Sequence, residues 1–318
     1  MRKGEMLINL LKNRSGSTSV IFLCSAVIII LLSAIATDIG YIAIERYKMD
    51  RVLDQIAKIG ATALIVDKNE CTKVIKENAV KRIDNITKLE INVSDNNREM
   101  SINIERKLDY IFLKYIGFKD KNINSRVTAK VSNVTSFKGI RPFAIPKTEI
   151  NYGKQYYLST KESKFLENND NGGFIRLITL NIGDGNFETA ILYGLNKTVN
   201  TGKSIYALDQ SDFSRGNESI DRLIKKCDRE PSCTYENYEV DCSRIIVLPV
   251  VDKAEASGKK AMVILGFTAF FIENVSVDKE KNKESIELKG RFIKYTVNSS
   301  TSDGIPDFGL LGVKLKHW

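Results

Sequence analysis

The first sustained pattern along the chain is "RSGSTSVIFLCSAVIIILLSAIATDIGYIAIERYKMD" from Arg14, uncharged over residues 15–37 and abruptly polar at Asp38. A helix over 15–37 would be about 34 Å long, enough to cross a hydrocarbon core of about 30 Å. Beyond it, Met49, Val52, Leu53, Ile56, Ala57, Gly60, Ala63 and Leu64 recur at three- and four-residue spacing, the mark of an amphipathic helix with one buried stripe. No proline or glycine cluster separates the two segments, so the pattern predicts a single helix that spans a membrane and continues as a stalk. A removable signal peptide is the competing reading, since Ala34-Ile35-Ala36 imitates a small-residue cleavage site. Against it, the apolar part exceeds an ordinary h-region, and the helical periodicity runs on past that bond.

Further along, Ile75, Ala79, Arg82, Ile83 and Ile86 sketch a second, shorter helix. "KLEINVS" and "EMSINIERKL" alternate apolar and polar residues on either side of Asp95, Asn96 and Asn97, which predicts a hairpin. "DYIFLKYIGF" has helical spacing and ends near Gly117, and "SRVTAKVSNV" alternates again as a strand. This order describes a compact α+β unit. "FKGIRPFAIPKTEINYGK", with Gly139, Pro142, Pro146 and Gly153, then marks a boundary.

The remainder predicts mostly strands: "FIRLITLN", "FETAILYGL", "RIIVLPVVD", "AMVILGFTAFFIENV" and "ESIELKGRFIKYTV", the last three spaced as a meander. The apolar run over 261–272 is too short to cross a membrane and suits a strand buried on both faces. The polar tail after Ser299 is expected to be loosely held. The fold class is thus α+β: a cytoplasmic basic segment (1–14), a transmembrane helix (15–37), a helical stalk with a small α+β unit (38–138), and a β-rich extracytoplasmic domain (139–318).

Charge orients this picture. Arg2, Lys3, Lys12 and Arg14 oppose only Glu5 before the span, so the positive-inside rule puts the N-terminus in the cytoplasm and everything after Thr37 outside. The formal net charge is +9, but 48 Lys and Arg are interspersed with 39 Asp and Glu, not gathered into a basic, aromatic stripe, so no nucleic-acid partner is expected. The single histidine, His317, sits beside the last residue and is expected to fray. That disfavours Ser-His-Asp, Cys-His and multi-histidine metal chemistry. No catalytic constellation emerges, and neither a cofactor nor a metal site is expected.

Candidate sites are correspondingly few. Cys24 lies within the span and Cys71 stands alone. Cys227, Cys233 and Cys242 cluster without CxxC spacing or a nearby histidine, which favours a disulfide in an exported domain over zinc, with the pairing open and one thiol left free or reaching Cys71. "IYALDQSDFS" delivers Asp209, Ser211, Asp212 and Ser214 into a loop that a divalent cation could use, but Phe213 breaks the pattern and a polar loop is the better account. Gly183 and Gly185 in "NIGDGNF" lack the residues of a phosphate loop and read as a turn. Asp241 and Asp252 read as solvated strand ends.

Several of these segments, in this order, resemble the TadE/TadG-like proteins of Tad (Flp) pilus assembly. The N-terminal likeness rests on Arg14-Ser15-Gly16-Ser17, the hydrophobic span, Asp38-Ile39-Gly40, Arg46 and "RVLDQIAKIGATALI"; "DYIFLKYIGF" before "SRVTAKVSNV" extends it. "GIRPFAIP", "GNFETAILYG", "DCSRIIVLPVVD", "ILGFTAFFI" and "KGRFI" are similar to the exported region of such proteins. The TadE pattern has a glutamate five residues after the glycine, where this chain has Ile21. The resemblance therefore implies an uncleaved, TadG-type component, without the von Willebrand A region of longer members and with a pilin-like unit after the span.

On that basis the expected role is a non-enzymatic structural component whose partners are other pilus assembly proteins, pilins and, through its helix, membrane lipid; self-association is compatible with it. Gly16, Asp38 and Gly40 belong to the anchor motif, and the small residues Ser25, Ala26, Ser33 and Ala34 are the expected close-packing positions in the bilayer. The alternative is a surface-anchored binding or adhesion module, cation-dependent through Asp209 and Ser211.

Overall fold

A computed structural model describes residues 14–161, 168–169, 172–183, 185–208, 216–227, 230, 232–239, 242–252, 261–280 and 283–317. Helix α1 runs unbroken over Arg14–Leu64. Its first part stands clear of the rest, with Val20, Phe22, Ile29 and Leu32 exposed, whereas Met49, Leu53, Ile56, Ala57, Ala61 and Leu64 are buried. One polypeptide rod thus changes solvent along its length. The apolar part makes it the one helix among the described residues long and apolar enough to cross a membrane.

The chain turns at Val66 and enters helix α2 (Lys68–Arg82), capped by Asp67, whose carboxylate accepts from the N–H groups of Asn69 and Glu70. Strands β1 (Ile86–Val93) and β2 (Glu99–Asp109) form the expected antiparallel hairpin, with Val93 opposite Met100 and Ile91 opposite Ile102. Strand β3 (Asp120–Val134) adds antiparallel to β2. The lower half of α1 and α2 lie on this sheet, and the stripe from Met49 to Leu64 joins Cys71, Ile75, Met100, Ile102, Val127 and Ala129 in one core. Each large apolar side chain buried there contributes about 1.5–3 kcal/mol. Gly60 sets the closeness of approach: a Cβ there would lie 2.7 Å from Ile75 Cγ1 and 2.9 Å from Met100 Cε.

The second body is a nine-stranded sheet whose centre is the expected meander, Ile245–Val251, Met262–Glu280 and Lys283–Ile293, paired antiparallel in sequence order. Hydrophobic cores cover both faces. Ile246, Leu248, Val250, Phe270 and Ile272 point into one, while Ile245, Val247, Phe267, Ala269 and Phe271 point into the other. The apolar run over 261–272 is therefore a strand buried on two sides, as its composition predicts.

Four expectations change. "FETAILYGL" is not a strand: Phe187–Tyr193 is a helix, N-capped by Asn186, whose side chain accepts from Thr189 N–H at 3.0 Å, and closed at Gly194 with φ +80°. Helical spacing puts Phe187 edge-on to Phe143 and buries Ala190 and Ile191. "DYIFLKYIGF" forms only a short 3-10 turn, Leu113–Ile116, that Gly117 ends at φ +103°. The polar tail is not loose either. Leu310–His317 is an interior strand of the first sheet, antiparallel to β3 on one side and parallel to Tyr295–Val297 on the other, and Leu310 and Leu311 are buried. The β-rich domain assigned to 139–318 therefore gives its last part back to the first unit. Finally, His317 does not fray: it pairs with Val127, and its Nε2 is 3.1 Å from Asp54 Oδ1 on α1.

Candidate functional site

The most constrained polar feature lies where α1 leaves its apolar segment. Asp38 is buried, and its carboxylate accepts backbone N–H groups from the loop between β2 and β3: Ile111 at 2.7 Å, Phe112 at 3.1 Å and Leu113 at 2.7 Å. Burial pushes the carboxyl up, but the Leu113, Ile111 and Phe112 amides, helped by the Lys114 charge, outweigh it and hold the pKa below the ordinary 3.8. Two turns on, Glu45 takes Lys48 and Arg106 at 2.8 Å each, and those bonds, Lys48 foremost, lower its pKa as well. Asp50 accepts from Ser125 Oγ on β3. Acids at three levels of the helix thus tie it to the first sheet and its β2–β3 loop, a purpose that the Asp38-Ile39-Gly40 motif did not reveal.

The proposed packing residues sit on the free part of the same helix. Ser25 Oγ donates to Phe22 O, and Ser33 Oγ to Ile29 O, each at 2.8 Å, so both hydroxyls are satisfied within the helix and suit an apolar solvent. Ala26 and Ala34 are half-buried, Ser25 and Ser33 exposed. A Cβ on Gly40 would meet nothing within 4 Å. Gly16 lies in the first turns of α1. The amphipathic stripe below, by contrast, is used up by the chain's own sheet and offers nothing to a partner helix.

The cysteine cluster comes together in space. The Sγ atoms of Cys227, Cys233 and Cys242 lie within 4.8 Å of one another, with Cys227 and Cys242 3.7 Å apart. At this separation no S–S bond joins Cys227 to Cys242. Cys71 is no partner to them, being sealed in the first core with its Sγ 3.5 Å from Met100 Sδ and its pKa pushed up to about 11 by burial. Burial likewise drives Cys242 up to about 12. Arg244 fixes the surroundings by donating to Cys233 O at 2.9 Å and Glu273 O at 3.3 Å. Three thiols with no fourth ligand among the described residues suit oxidation to one disulfide with a spare thiol better than a four-coordinate zinc ion.

The remaining candidates thin out. Asp209, Ser211, Asp212, Ser214 and Asp241 fall outside the described residues. Asp252 is a strand fastener, its Oδ1 accepting Val263 N–H at 2.8 Å. Gly183, at φ +68°, donates its N–H to Asn181 Oδ1 and forms the expected turn. A cleft of about 770 Å³ near Leu180, Ile182 and Leu195 has Lys197 and Lys203 on its wall and, among the described residues, no carboxylate to make an acid-base pair with them. Compared with family models, curated proteins and solved structures, the chain matches none.

Proposed function

We propose that this chain is a non-enzymatic, membrane-anchored structural component of a cell-envelope assembly, of the Tad pilus type that its sequence resembles. The observation that carries this is the continuity of α1: the helix that suits lipid at one end is, without a break, the core helix of the folded body at the other. At 1.5 Å per residue its 51 residues extend about 76 Å. A load on the body is then passed to the anchor through a hydrogen-bonded rod and the acid ties along it, with no flexible linker between. The basic N-terminal residues favour a cytoplasmic start, an exported body and an oxidising compartment for the three clustered thiols.

Association with other pilus assembly proteins and pilins would use the free part of α1, where Ser25, Ala26, Ser33 and Ala34 allow close backbone approach. Lipid competes equally for larger apolar side chains, so small residues decide such contacts. Replacing Ala34 with Phe in the full chain, in its own cells, is expected to leave the protein in the membrane fraction while it loses co-purifying pilus proteins. Unchanged co-purification would overturn the packing face. Recovery of no pilin or secretion component with the unaltered chain would overturn the pilus role.

A further inference from the structure

The loop between β2 and β3 gathers large apolar side chains in the open: Ile111, Phe112, Tyr115, Ile116 and Phe118 are all exposed, Tyr115 at 79%. A contiguous exposed apolar patch on a soluble surface marks an interaction site. Its location identifies the occupant. The loop amides bind Asp38, the first residue past the uncharged span, so the loop is fastened where the helix leaves the hydrocarbon. The polar interface of a bilayer adds roughly 5–7 Å beyond the hydrocarbon on each side. A loop bonded directly to Asp38 lies within that layer.

Its chemistry matches the layer. Aromatic rings with one polar end settle at the headgroup level, and Lys114, Lys119 and Lys121 supply charges that anionic lipids attract. Lys114 Nζ lies 5.3 Å from the Tyr115 ring centre, so the pair presents an aromatic face and an ammonium together. The backbone is also suited to a poorly hydrated place. Besides the three amides on Asp38, Tyr115 N–H bonds to Phe112 O at 3.1 Å, Phe118 N–H to Leu113 O at 3.1 Å and Tyr110 N–H to Lys119 O at 3.3 Å. A loop with most of its amides already bonded gives up little on leaving water.

We infer that the 110–119 loop is a second membrane contact, a lipid-interface foot beside the transmembrane helix that fixes the tilt of the folded body on the bilayer. This rests on the anchoring reading of α1. The foot prevents the body from swivelling about a single helix, because two fastenings to the bilayer define an orientation that one does not.

The test uses the full chain in vesicles of phosphatidylcholine and phosphatidylglycerol, with Trp318→Phe removing the native tryptophan. Tyr115→Trp, or Phe118→Trp as a second site, reports on the loop, and Leu31→Trp on the span. Lipids brominated near the headgroup end of the acyl chains should quench and blue-shift the loop tryptophan at low and high protein-to-lipid ratios. Quenching of Leu31→Trp with none at either loop site would overturn the foot while leaving the anchor intact. Loss of quenching at Leu31→Trp would show instead that the anchor reading fails. A blue shift at the loop that appears only at high protein density, without quenching by bromolipid, would mean that a second copy covers it and would likewise overturn the inference.

Discussion

Leu113 follows Asp38 by 75 residues, yet its backbone N–H meets the Asp38 carboxylate at 2.7 Å. That bond, with those from Ile111 and Phe112, joins the end of the apolar segment of α1 to the β2–β3 loop. An aspartate at the edge of hydrocarbon would be costly if bare. Here three amides surround it, and the helix gains a fixed attachment.

Asp38→Asn removes the charge and leaves a single carbonyl oxygen where two carboxylate oxygens served three donors. The expected outcome is faster amide hydrogen exchange at Ile111, Phe112 and Leu113, with little change at β1 and β2. Acid should do the same to the unaltered protein. Because the folded pKa of Asp38 is depressed, its contribution is complete above 3.8 and is lost as pH falls through the lower folded value. Exchange at the three amides measured from pH 5 downward checks this, and protection that is insensitive to acid would contradict the role given to the carboxylate.

Two glycines of α1 separate packing within the chain from packing with partners. At Gly60 an added methyl must displace Ile75 and Met100, and overpacking of that kind costs about 1–3 kcal/mol, somewhat eased by the flexible ends of both side chains. At Gly40 the space is open, and an alanine should stabilise the helix by roughly 0.5–1 kcal/mol. Thermal melting of Gly60→Ala and Gly40→Ala should therefore move in opposite directions. If Gly40→Ala melts higher yet loses co-purifying proteins, that glycine serves an external contact.

Leu311 sits in the interior strand of the first sheet and in the core beneath α1. Leu311→Ala is expected to cost about 2–5 kcal/mol. Limited proteolysis should show new cuts in β3 and the β2–β3 loop before any in the meander of the second body. Cleavage confined to the second body would contradict the placement of this strand.

The thiols should divide by location. With the protein folded at pH 8, alkylation should spare Cys71 and Cys242, whose pKa values burial raises to about 11 and about 12, so that little thiolate is present. After mild oxidation, peptide mapping should find the cross-link among Cys227, Cys233 and Cys242, most readily between Cys227 and Cys242, and never to Cys71. A bond to Cys71 would require the first core to open.

The parts that could be read from the sequence are those whose signal is local. The spacing from Met49 to Leu64 announced a buried stripe, and alternation around Asp95–Asn97 announced a hairpin. What periodicity omits is the identity of the covering surface. The stripe is covered by the chain's own β2, β3 and Leu310–His317. Leu311, Val313 and Leu315 do alternate with Gly312, Lys314 and Lys316, a strand signal overshadowed by position near the end. In "NFETAILYGL" the capping Asn186 and the spacing of Phe187, Ala190 and Ile191 were legible as a helix, but aromatic and β-favouring residues drew the segment toward a strand. The Asp38 tie could not be foreseen, because an acid after a span looks the same whether it meets water or folded-back amides. The cysteine cluster was legible as a group, but not its isolation from Cys71.

The strand Leu310–His317 also sets a schedule. It lies between β3 and Tyr295–Val297, and the whole nine-stranded body is interposed between its partner β3 and itself. During synthesis, residues 120–134 emerge long before their neighbour, so the first sheet must wait with one edge open until the intervening body has been made. A chain halted before Leu310 can form α1, the β1–β3 pairing and the meander, but it leaves one edge of β3 open. The fold thereby distinguishes completed chains from arrested ones: only the former acquire a finished sheet beneath α1.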